Sequence, residues 1–527
     1  MTIDSFNHPP ANIRSAPLWV EQIEKKLLNA VCGCLSSRQV QLTEVHLQFL
    51  CAPWVHFLTH SLLHRLETLG VDLSTPKFPL VERSDVARQV HAPGDTLAFM
   101  EFFRTKKYTD YLDLSLAGSM ADYSGRTATH TLFVKSHRKA TTTAFMPCFP
   151  RNFRYLMGWL NLGRIQFLDN KHEAIEIPVN TSRRLSLFDG VKNSFDDLPA
   201  ATASWLAARV SHLFPKSLLE NLEVNLSEKL KLPVNQNLFS ADGWHIIDDW
   251  KIYALAQKIK ANAHWIGAPN AISHGSLAVF WQRHFELAFL DTYLSWGWSH
   301  SQGAHATIVP FNAPHYAGKR QASYVPDESR KGVLISSAAR PQHLLEYPYL
   351  PQRFERYLEK QLLLAQGLNS LLQEDVTIRT RPKDLGWDVK ALVDSLKNSA
   401  IQLEFQSGQF SDRLKQCRLH VCDNCSTTIV ESLWANHPTL VMITDDYFQL
   451  YPQALQDYKI LADAGIFHDS LESLLAQCKL VQDRPEQWWM SAKTQSAIQN
   501  FLRKQGRCGD GLLAWTRALI SPTALKQ

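Results

Sequence analysis

Three consecutive hydroxyl side chains, Ser426, Thr427 and Thr428, have types and spacing that suggest phosphate binding. They follow a short strand pattern over 419–422 and begin an apolar helical pattern, so they occupy a strand-to-helix loop with Asp423. Such a loop attracts anions, because free backbone N–H groups and the helix dipole point into it. Thr428 and Glu431 also have the spacing of a capping box, so a purely structural role for this pair stays open.

Two further loops are expected beside the hydroxyl loop. Ser336 and Ser337 end a predicted strand, and the cationic residues Arg379, Arg381 and Lys383 end the next one. Loops at the carboxyl ends of parallel strands meet at one edge of the sheet, where ligands bind. Hydroxyl and guanidinium groups in one crevice suit a doubly charged phosphate. The sequence contains neither GxxxxGK[ST] nor GxGxxG, so a P-loop NTPase and a dinucleotide dehydrogenase are not favoured.

His274 is the candidate general base. It follows a strand-like stretch at 269–273, and Glu286 and Asp291 lie close enough in sequence to be alternative bases. A histidine that is hydrogen-bonded only to the backbone is the structural alternative.

Histidines and cysteines are the candidate metal ligands. His56, His60 and His64 share one side of a predicted helix, but a metal site would need a helper ligand and exclusion of water. A polar helix side is therefore favoured. Cys422 and Cys425 form a single CxxC without a second pair, so no metal site is predicted.

Alternating strand and helix patterns place these residues on an α/β fold. At 527 residues the chain should form two or three domains. Residues 18–35 and 43–69 are predicted helices, 97–103 a predicted strand, and 70–240 is otherwise hard to interpret. From 332 onwards strands and helices alternate, which predicts a doubly wound parallel sheet. The expected division is 1–298 (acceptor-side domain with helical lead-in), 299–331 (connection), 332–484 (nucleotide-binding domain) and 485–527 (a helix that packs back).

Composition excludes some classes of protein. The formal net charge of +5 is small for this length and does not indicate a nucleic-acid binder, although it permits contact with an anionic membrane surface. No run of 18 apolar residues occurs, and the amino terminus lacks a signal-peptide pattern. Nine scattered cysteines suggest reduced thiols. We expect a cytoplasmic protein, with peripheral contact at the inner face of a membrane.

Several motifs together resemble a bacterial family of transferases linked to surface-carbohydrate loci. They are APWVHFLTHSLLHR (52–65), HGS (274–276), DTYLSWGW (291–298), RTRPKDLGW (379–387) and CDNCSTTIVESLWANHPTLV (422–441). The layout is distantly similar to GT-B enzymes, among them the Kdo and polysialic acid transferases and the CDP-glycerol glycerophosphotransferases. The resemblance implies two Rossmann-like domains facing a cleft, with extra N-terminal helices, and chemistry that needs no metal or other cofactor.

The resemblance also implies roles for individual residues. The hydroxyls at 426–428 match the pair that holds the donor phosphate, and Glu431 matches a glutamate for which ribose binding is an alternative to helix capping. Arg381-Pro382-Lys383 stands where the distant relatives have His-Pro, which implies a cation that stabilises the leaving phosphate. His274-Gly275 matches a His-Gly loop, but Ser276 replaces the glycine with which the family usually continues.

The functional hypothesis is a metal-independent, nucleotide-sugar-dependent glycosyltransferase. The donor is expected to be a CMP-linked nonulosonic acid or Kdo, and the acceptor a surface glycan or a protein hydroxyl. The alternatives are a CDP-polyol phosphotransferase, a sugar-nucleotide epimerase of GT-B architecture, and a non-catalytic scaffold of a glycan assembly complex.

Overall fold

The structure is a computed structural model of the 527-residue chain. It describes residues 18–36, 42–68, 92–103, 128–132, 140–146, 148–168, 172–278, 280–300, 304–318, 320–327, 329–337, 351–380, 388–405, 408–444, 449–507, 509 and 511–526.

The described strands form two six-stranded parallel sheets and one antiparallel pair, β1 with β4. In chain order they are β1 (Ala128–Leu132), β2 (Thr142–Phe145), β3 (Ile165–Leu168), β4 (His172–Glu176), β5 (Asn237–Ser240), β6 (His264–Gly267), β7 (Thr292–Ser295), β8 (Thr307–Pro310), β9 (Val333–Ser336), β10 (Val376–Thr380), β11 (Ile401–Phe405), β12 (Leu419–Cys422), β13 (Thr439–Met442) and β14 (Phe467–His468).

Helices precede the first sheet and connect the strands of both sheets. In chain order they are α1 (Leu18–Ser36), α2 (Glu44–Thr68), α3 (Thr96–Phe103), α4 (Arg151–Leu160), α5 (Thr181–Ser194), α6 (Ala200–Leu213), α7 (Lys216–Leu219), α8 (Leu222–Lys231), α9 (Asp248–Ala261), α10 (Ser273–Ser276), α11 (Trp281–Phe289), α12 (Pro351–Leu372), α13 (Val389–Asp394), α14 (Phe410–Leu414), α15 (Thr427–Trp434), α16 (Pro452–Asp463), α17 (Leu471–Val481), α18 (Pro485–Trp489), α19 (Ala492–Gln505) and α20 (Leu512–Ile520).

The second sheet has the strand order β11-β10-β9-β12-β13-β14. The chain enters at β9, runs outward to β11 and then returns to β12 on the other side of β9, which is the strand order of a Rossmann fold. The central strands β9, β12 and β13 are buried along their whole length, as their short apolar sequences predict for a sheet covered on both faces. The point where the strand order reverses lies between β9 and β12, and ligands bind at such points.

The first sheet has the order β3-β2-β5-β6-β7-β8, so its reversal lies between β2 and β5. Two sequence predictions were wrong here. Leu97–Phe103 is helical as part of α3, because its apolar residues pack as a helix in the core rather than as a strand. The strand before His274 is β6 (His264–Gly267), and Pro269–Ser273 is a loop that leads into α10. Such brief apolar runs do not distinguish a strand from other buried segments.

The predicted lead-in helices are confirmed as α1 and α2, which pack against each other and against the first sheet's helices. Trp54, fully buried in α2, donates its indole N–H to the carbonyl oxygen of Leu213 at 3.0 Å. Together the two sheets and these helices confirm the predicted α/β architecture of two Rossmann-like parallel sheets with additional N-terminal helices.

Two segments depart from simple sequential domains. Thr307–Pro310 falls in the range expected for the connection, but it pairs with β7 as the edge strand of the first sheet. Its residues are half-buried or exposed, so the sequence there carries no buried-strand pattern. At the carboxyl terminus, α19 packs on α15 and α16 of the second half, whereas α20 packs on α4 and β5 of the first sheet. None of the described helices is both long and apolar enough to traverse a bilayer.

Candidate functional site

Hydroxyl groups meet where the strand order of the second sheet reverses. Ser336 ends β9 directly opposite Cys422 of β12, and its Oγ lies 3.1 Å from the Thr428 Oγ1. The Thr428 hydroxyl is also 2.6 Å from the Ser426 Oγ. The buried imidazole of His420 is hydrogen-bonded to the Ser336 hydroxyl, with 2.8 Å between Nε2 and Oγ. The hydroxyl groups of Ser336, Ser426 and Thr428, which are predicted to bind phosphate, therefore share one crevice.

Helix α15 begins in this crevice without a side-chain cap. Ser426 is its N-cap residue and makes no side-chain capping hydrogen bond, and Thr428 already lies inside the helix. The capping box expected from the spacing of Thr428 and Glu431 is therefore not formed. Ser426, Thr427 and Thr428 are all half-buried, so the beginning of the helix remains within reach of a ligand.

Asp423 forms the back of the same crevice. Its carboxylate accepts hydrogen bonds from Gln361 Nε2 at 2.8 Å and from Asn424 Nδ2 at 2.9 Å. Burial raises the pKa of Asp423 to about 6, although these hydrogen bonds act in the opposite direction. Ser337 bonds the Tyr357 hydroxyl at 2.9 Å. This group therefore organises the loop rather than presenting free donors.

A cleft of about 560 Å³ opens beside the crevice, between the two sheets. Its size falls within the range of small-molecule sites. Glu431 faces it from α15, one helical turn or roughly 4.5 Å beyond Thr428. The other lining residues come from both halves of the chain: Cys148, Phe149, Pro150, His315, Tyr316, Arg320, Gln409, Phe410, Ser411, Leu414, Trp434 and Ala435.

The His-Gly-Ser loop of the first sheet contacts the phosphate loop of the second. The Ser273 hydroxyl donates to the carbonyl oxygen of Cys425 at 3.3 Å, and the Tyr458 hydroxyl donates to Ser276 Oγ at 3.0 Å. Glycine is needed at position 275, because a Cβ there would lie 2.3 Å from the Trp298 ring and 2.8 Å from Gln505 Oε1. The Ser276 side chain, which departs from the family pattern, is thus accommodated as a partner of Tyr458.

A buried chain of polar groups runs from His274 in both directions. His274 Nδ1 lies 2.7 Å from the Tyr293 hydroxyl, which lies 2.9 Å from Glu286 Oε2. On the other side, His274 Nε2 lies 3.0 Å from Asn270 Oδ1, and Asn270 Nδ2 donates to Asp242. His274, Tyr293 and Glu286 are fully buried, whereas Asn270 and Asp242 are only half-buried.

Burial determines which of these hydrogen-bonded side chains carry a proton. It raises the pKa of Glu286 to about 8 and lowers the pKa of His274 well below its usual value. At neutral pH a protonated Glu286 can donate to Tyr293, which then donates to His274 Nδ1. The neutral imidazole keeps its proton on Nε2 and donates it to Asn270 Oδ1, so the Asn270 amide turns its N–H towards Asp242. The series of hydrogen bonds that begins at Glu286 therefore ends at the Asp242 carboxylate.

Asp242 lies at the reversal point of the first sheet, in the turn that follows β5. The Ser240 hydroxyl accepts the backbone N–H groups of Asp242 and Gly243 at 3.3 and 2.8 Å, which fixes the turn. Burial, with a smaller contribution from the negative charge of Asp242, raises the pKa of the Cys148 thiol, which lines the cleft. The Asp242 carboxylate is held by Asn270, whose backbone carbonyl oxygen lies 3.2 Å from Nε2 of the cleft-lining His315.

The model of the LIC12162 family transferases matches residues 153–520, which include Asp242, the hydroxyl loop at 426–428 and most of the residues that line the cleft. The chain belongs to the LIC12162 family of transferases. This assignment confirms the resemblance to a transferase family that the sequence motifs predict. No curated protein matches the transferase in sequence.

Solved structures overlap with the transferase at low sequence identity. The apo structure of OtsA has a TM-score of 0.39 and 10% identity over 74% of this chain and 99% of that chain. The UDP complex of MnaA from S. aureus has a TM-score of 0.39 and 9% sequence identity, over 74% of this chain and 98% of that chain. The α,α-trehalose 6-phosphate synthase of Burkholderia multivorans has a TM-score of 0.38 and 10% sequence identity, over 74% of this chain and 97% of that chain.

The structure of the transferase separates the predicted site residues into groups. Those that share the phosphate crevice or the adjoining cleft are Ser336, Ser337, Asp423, Ser426, Thr427, Thr428 and Glu431. His274 and Glu286 meet through Tyr293, beneath the surface. Arg381 and Lys383 lie outside the residues that the structure describes.

Two predicted site residues point elsewhere. Asp291 precedes β7 at the amino edge of the first sheet, where it pairs with Lys258 at 2.9 Å and accepts the Trp265 N–H at 2.7 Å. It cannot act at the carboxyl edge. Arg379 turns towards β11, where it pairs with Glu404 and donates to the Gly408 carbonyl oxygen at 2.9 Å. Its charge is neutralised by that carboxylate.

The two cysteines of the CxxC motif are buried free thiols. Burial raises the pKa of the Cys425 thiol to about 12 and also raises that of Cys422. A thiol must ionise to bind a metal or to exchange disulfides, so this pair is structural.

Sequence reasoning missed Asp242, Asn270 and Tyr293 in the polar chain, and His315, Arg320 and Trp434 in the cleft. The strand before Asp242, β5, has only four residues, and it lies in the stretch 70–240 whose pattern is hard to interpret. An Asp-Gly pair that follows the apolar residues Leu238 and Phe239 after two small residues was the available signal.

Proposed function

We propose that the chain transfers a glycosyl group from a nucleotide-activated donor to an acceptor hydroxyl in the cleft between the two sheets. The observation that carries this proposal is that loops at the carboxyl edges of the two sheets touch beside one cleft, where Ser273 contacts Cys425 of the hydroxyl loop. The cleft-lining His315 also lies 3.2 Å from the carbonyl oxygen of Asn270, which holds the Asp242 carboxylate. The second sheet would hold the nucleotide, and the first would present the acceptor. Membership of a transferase family supports the reaction class.

The nucleotide is proposed to lie along the first turn of α15. A donor phosphate at Ser426, Thr427 and Thr428 would accept hydrogen bonds from hydroxyls and from the free N–H groups of the helix. A ribose one turn further would reach Glu431, whose carboxylate can accept from two sugar hydroxyls. The spacing of these groups supports a nucleoside mono- or diphosphate over inorganic phosphate alone.

A CMP-linked acidic sugar is the donor that we propose, with a surface glycan or a protein as acceptor. Arg320 lines the cleft from the first half of the chain, where it can face a sugar carboxylate. The departing phosphate would be stabilised by the amino end of α15.

Asp242 is the proposed general base. A base must reach the acceptor hydroxyl, and the half-buried Asp242 is closer to the cleft surface than the fully buried His274. His274, Tyr293 and Glu286 would act as positioning residues that orient Asn270, and through it the Asp242 carboxylate.

Nucleotide-induced thermal stabilisation tests the donor site. We expect CMP to raise Tm by on the order of 3 °C when present at about 100 times its Kd, and UDP and GDP to raise it less. Thr427→Ala and Glu431→Gln should reduce the rise by more than half. Tm is measured by differential scanning fluorimetry over a nucleotide titration that includes CDP.

The control is Ser395→Ala, which removes an exposed hydroxyl in the turn between α13 and β11 of the same sheet. It should keep the full nucleotide response. Selective stabilisation by UDP or GDP would reject the cytidine donor while keeping the site, and an equal response of all variants would reject the site itself.

Membrane association is the second part of the proposal, and it concerns the surface of α4. Five exposed apolar side chains, which we call the Trp159 patch, lie on α4 and in the turn that follows it: Tyr155, Leu156, Trp159, Leu160 and Leu162. Trp159 is 75% exposed and Leu162 84% exposed. The exposed Arg151 and Arg164 flank the patch. An aromatic and apolar patch with a basic rim suits an anionic bilayer surface.

The patch is connected to the cleft by its own helix. Pro150, the N-cap residue of α4, lines the cleft. Contact of the Trp159 patch with a bilayer would therefore bring the acceptor side of the cleft close to the membrane surface.

Co-sedimentation with phosphatidylcholine vesicles, with and without phosphatidylglycerol, tests this contact. We expect binding to anionic vesicles that weakens with salt and falls at least tenfold in Trp159→Ser/Leu162→Ser. The control Leu513→Ser removes an equally exposed side chain on α20 and should bind normally. A double variant that binds vesicles as well as the unaltered protein does would contradict a bilayer partner. So would a double variant that keeps vesicle binding and loses self-association.

A further inference from the structure

Glu24, His56 and His60 form a compact group of metal-ligating side chains remote from the cleft. Their ligand atoms all lie within 4.8 Å of one another. Glu24 Oε1 is 3.0 Å from His56 Nδ1, and Glu24 Oε2 is 2.9 Å from His60 Nε2. The two histidines are one helical turn apart on α2, and the glutamate reaches them from α1.

The group meets the conditions that histidines on one helix cannot meet alone. The carboxylate from α1 supplies a third ligand, and burial excludes bulk water, since both imidazoles are only 4% exposed. Tetrahedral zinc with ligands at about 2.0–2.2 Å keeps its ligand atoms roughly 3.3 Å apart. The two carboxylate-to-imidazole separations, 3.0 and 2.9 Å, are therefore a few tenths of an ångström short of those around an ion, and small side-chain rotations can provide the difference.

We propose that Glu24, His56 and His60 bind a divalent transition metal, with Zn²⁺ the best match. Two imidazoles and one carboxylate are ligands that zinc favours, whereas Mg²⁺ and Ca²⁺ prefer oxygen ligands only. The ion would replace protons that now lie between the carboxylate and the rings, so binding releases protons to solvent.

The packing of the group suggests a structural role. The His56 ring stacks on Trp281 at a centroid distance of 4.5 Å. Trp281 begins α11, the helix that also carries Arg283, a donor to the His274 carbonyl oxygen at 2.9 Å, and Glu286. A metal would thus tie α1 to α2 and brace the helix that supports the buried polar chain.

Metal content and metal-dependent stability test the proposal on untagged, full-length protein. We expect about one Zn²⁺ per chain after dialysis, measured by inductively coupled plasma mass spectrometry. Chelation should lower Tm, and Co²⁺ replacement should give visible d–d absorption typical of a four-coordinate site. His56→Ala and His60→Ala should each weaken Co²⁺ binding at least tenfold, and Glu24→Gln should do the same.

His305→Ala is the matched control, because it removes an exposed imidazole that lies outside the group. It should bind Co²⁺ as the unaltered chain does. Substoichiometric zinc together with no Tm change on chelation and no Co²⁺ absorption would overturn the proposal and leave a buried ion-paired triad. These measurements on the unaltered chain decide the matter even if a variant fails to fold, and they do not depend on the donor site.

Discussion

Replacing Asp242 with asparagine should lower kcat by about 10²- to 10⁴-fold, the range that general bases typically contribute. The substitution keeps the shape of the side chain and its hydrogen bond from Asn270, but it removes the group that takes the acceptor proton. Nucleotide-induced stabilisation should not change, because the donor phosphate loop belongs to the other sheet. The measurement is the steady-state rate of nucleotide release from the donor that the thermal titration selects, at saturating acceptor.

Asp291→Asn is the matched control for this experiment. Asp291 belongs to the same sheet but lies at its amino edge, paired with Lys258. We expect kcat to change by less than about threefold there, as a residue remote from the reacting atoms requires. Turnover of Asp242→Asn within about twofold of the unaltered enzyme would exclude Asp242 as the base. A similar loss in both variants would indicate a general effect of the charge.

Glu286→Gln should change the pH dependence of stability by several kcal/mol. The folded pKa of Glu286 is about 8, above its ordinary value of 4.5. The stabilisation from the protonated carboxyl is therefore complete below about pH 4.5 and is lost as pH rises through 8. Because one pKa unit corresponds to about 1.4 kcal/mol, the free energy of unfolding should fall by on the order of 5 kcal/mol from this group. The glutamine cannot ionise, and its amide N–H can donate to Tyr293 as the protonated carboxyl does.

The comparison is made by urea denaturation at pH 5, 7 and 9 with tryptophan fluorescence. The Glu286→Gln substitution should leave stability near that of the unaltered protein at pH 5 and raise it at pH 9. Glu228→Gln, a substitution at an exposed position on α8, should leave the pH profile unaltered. Parallel profiles for Glu286→Gln and the unaltered chain would show that this carboxyl is ionised at neutral pH, and the proton directions inferred for His274 would then be wrong.

The position of Glu286 beneath Tyr293 connects the two predictions. The uncharged carboxyl sets the direction of hydrogen bonding through His274 and Asn270 to Asp242. Above pH 8 a second charge would form within electrostatic range of Asp242, whose charge already helps to raise the Glu286 pKa. Ionisation of Glu286 would therefore disturb the proposed base as well as the fold.

Local sequence patterns determined the architecture of the second half and the place of its ligand loop. The alternation of short β-branched strands with amphipathic helices from 332 onwards predicts a parallel sheet, and the loop at 423–428 lies where its strand order reverses. The predictions succeed there because periodicity and turn residues act over a few neighbouring positions. The family motifs likewise lie in continuous stretches, which is why the transferase assignment follows from sequence.

Only the tertiary structure decided which side chains meet. Glu24 and His56 are 32 residues apart, and Arg379 and Glu404 are 25 apart, so no local pattern reports either pair. Asp291 and Asp242 are both aspartates next to strands of one sheet. The first stands before its strand and the second after it, and the short strand β5 gives too weak a periodic signal to establish that difference. Contacts between distant segments depend on the packing of whole elements, because burial and strand order are properties of the complete fold.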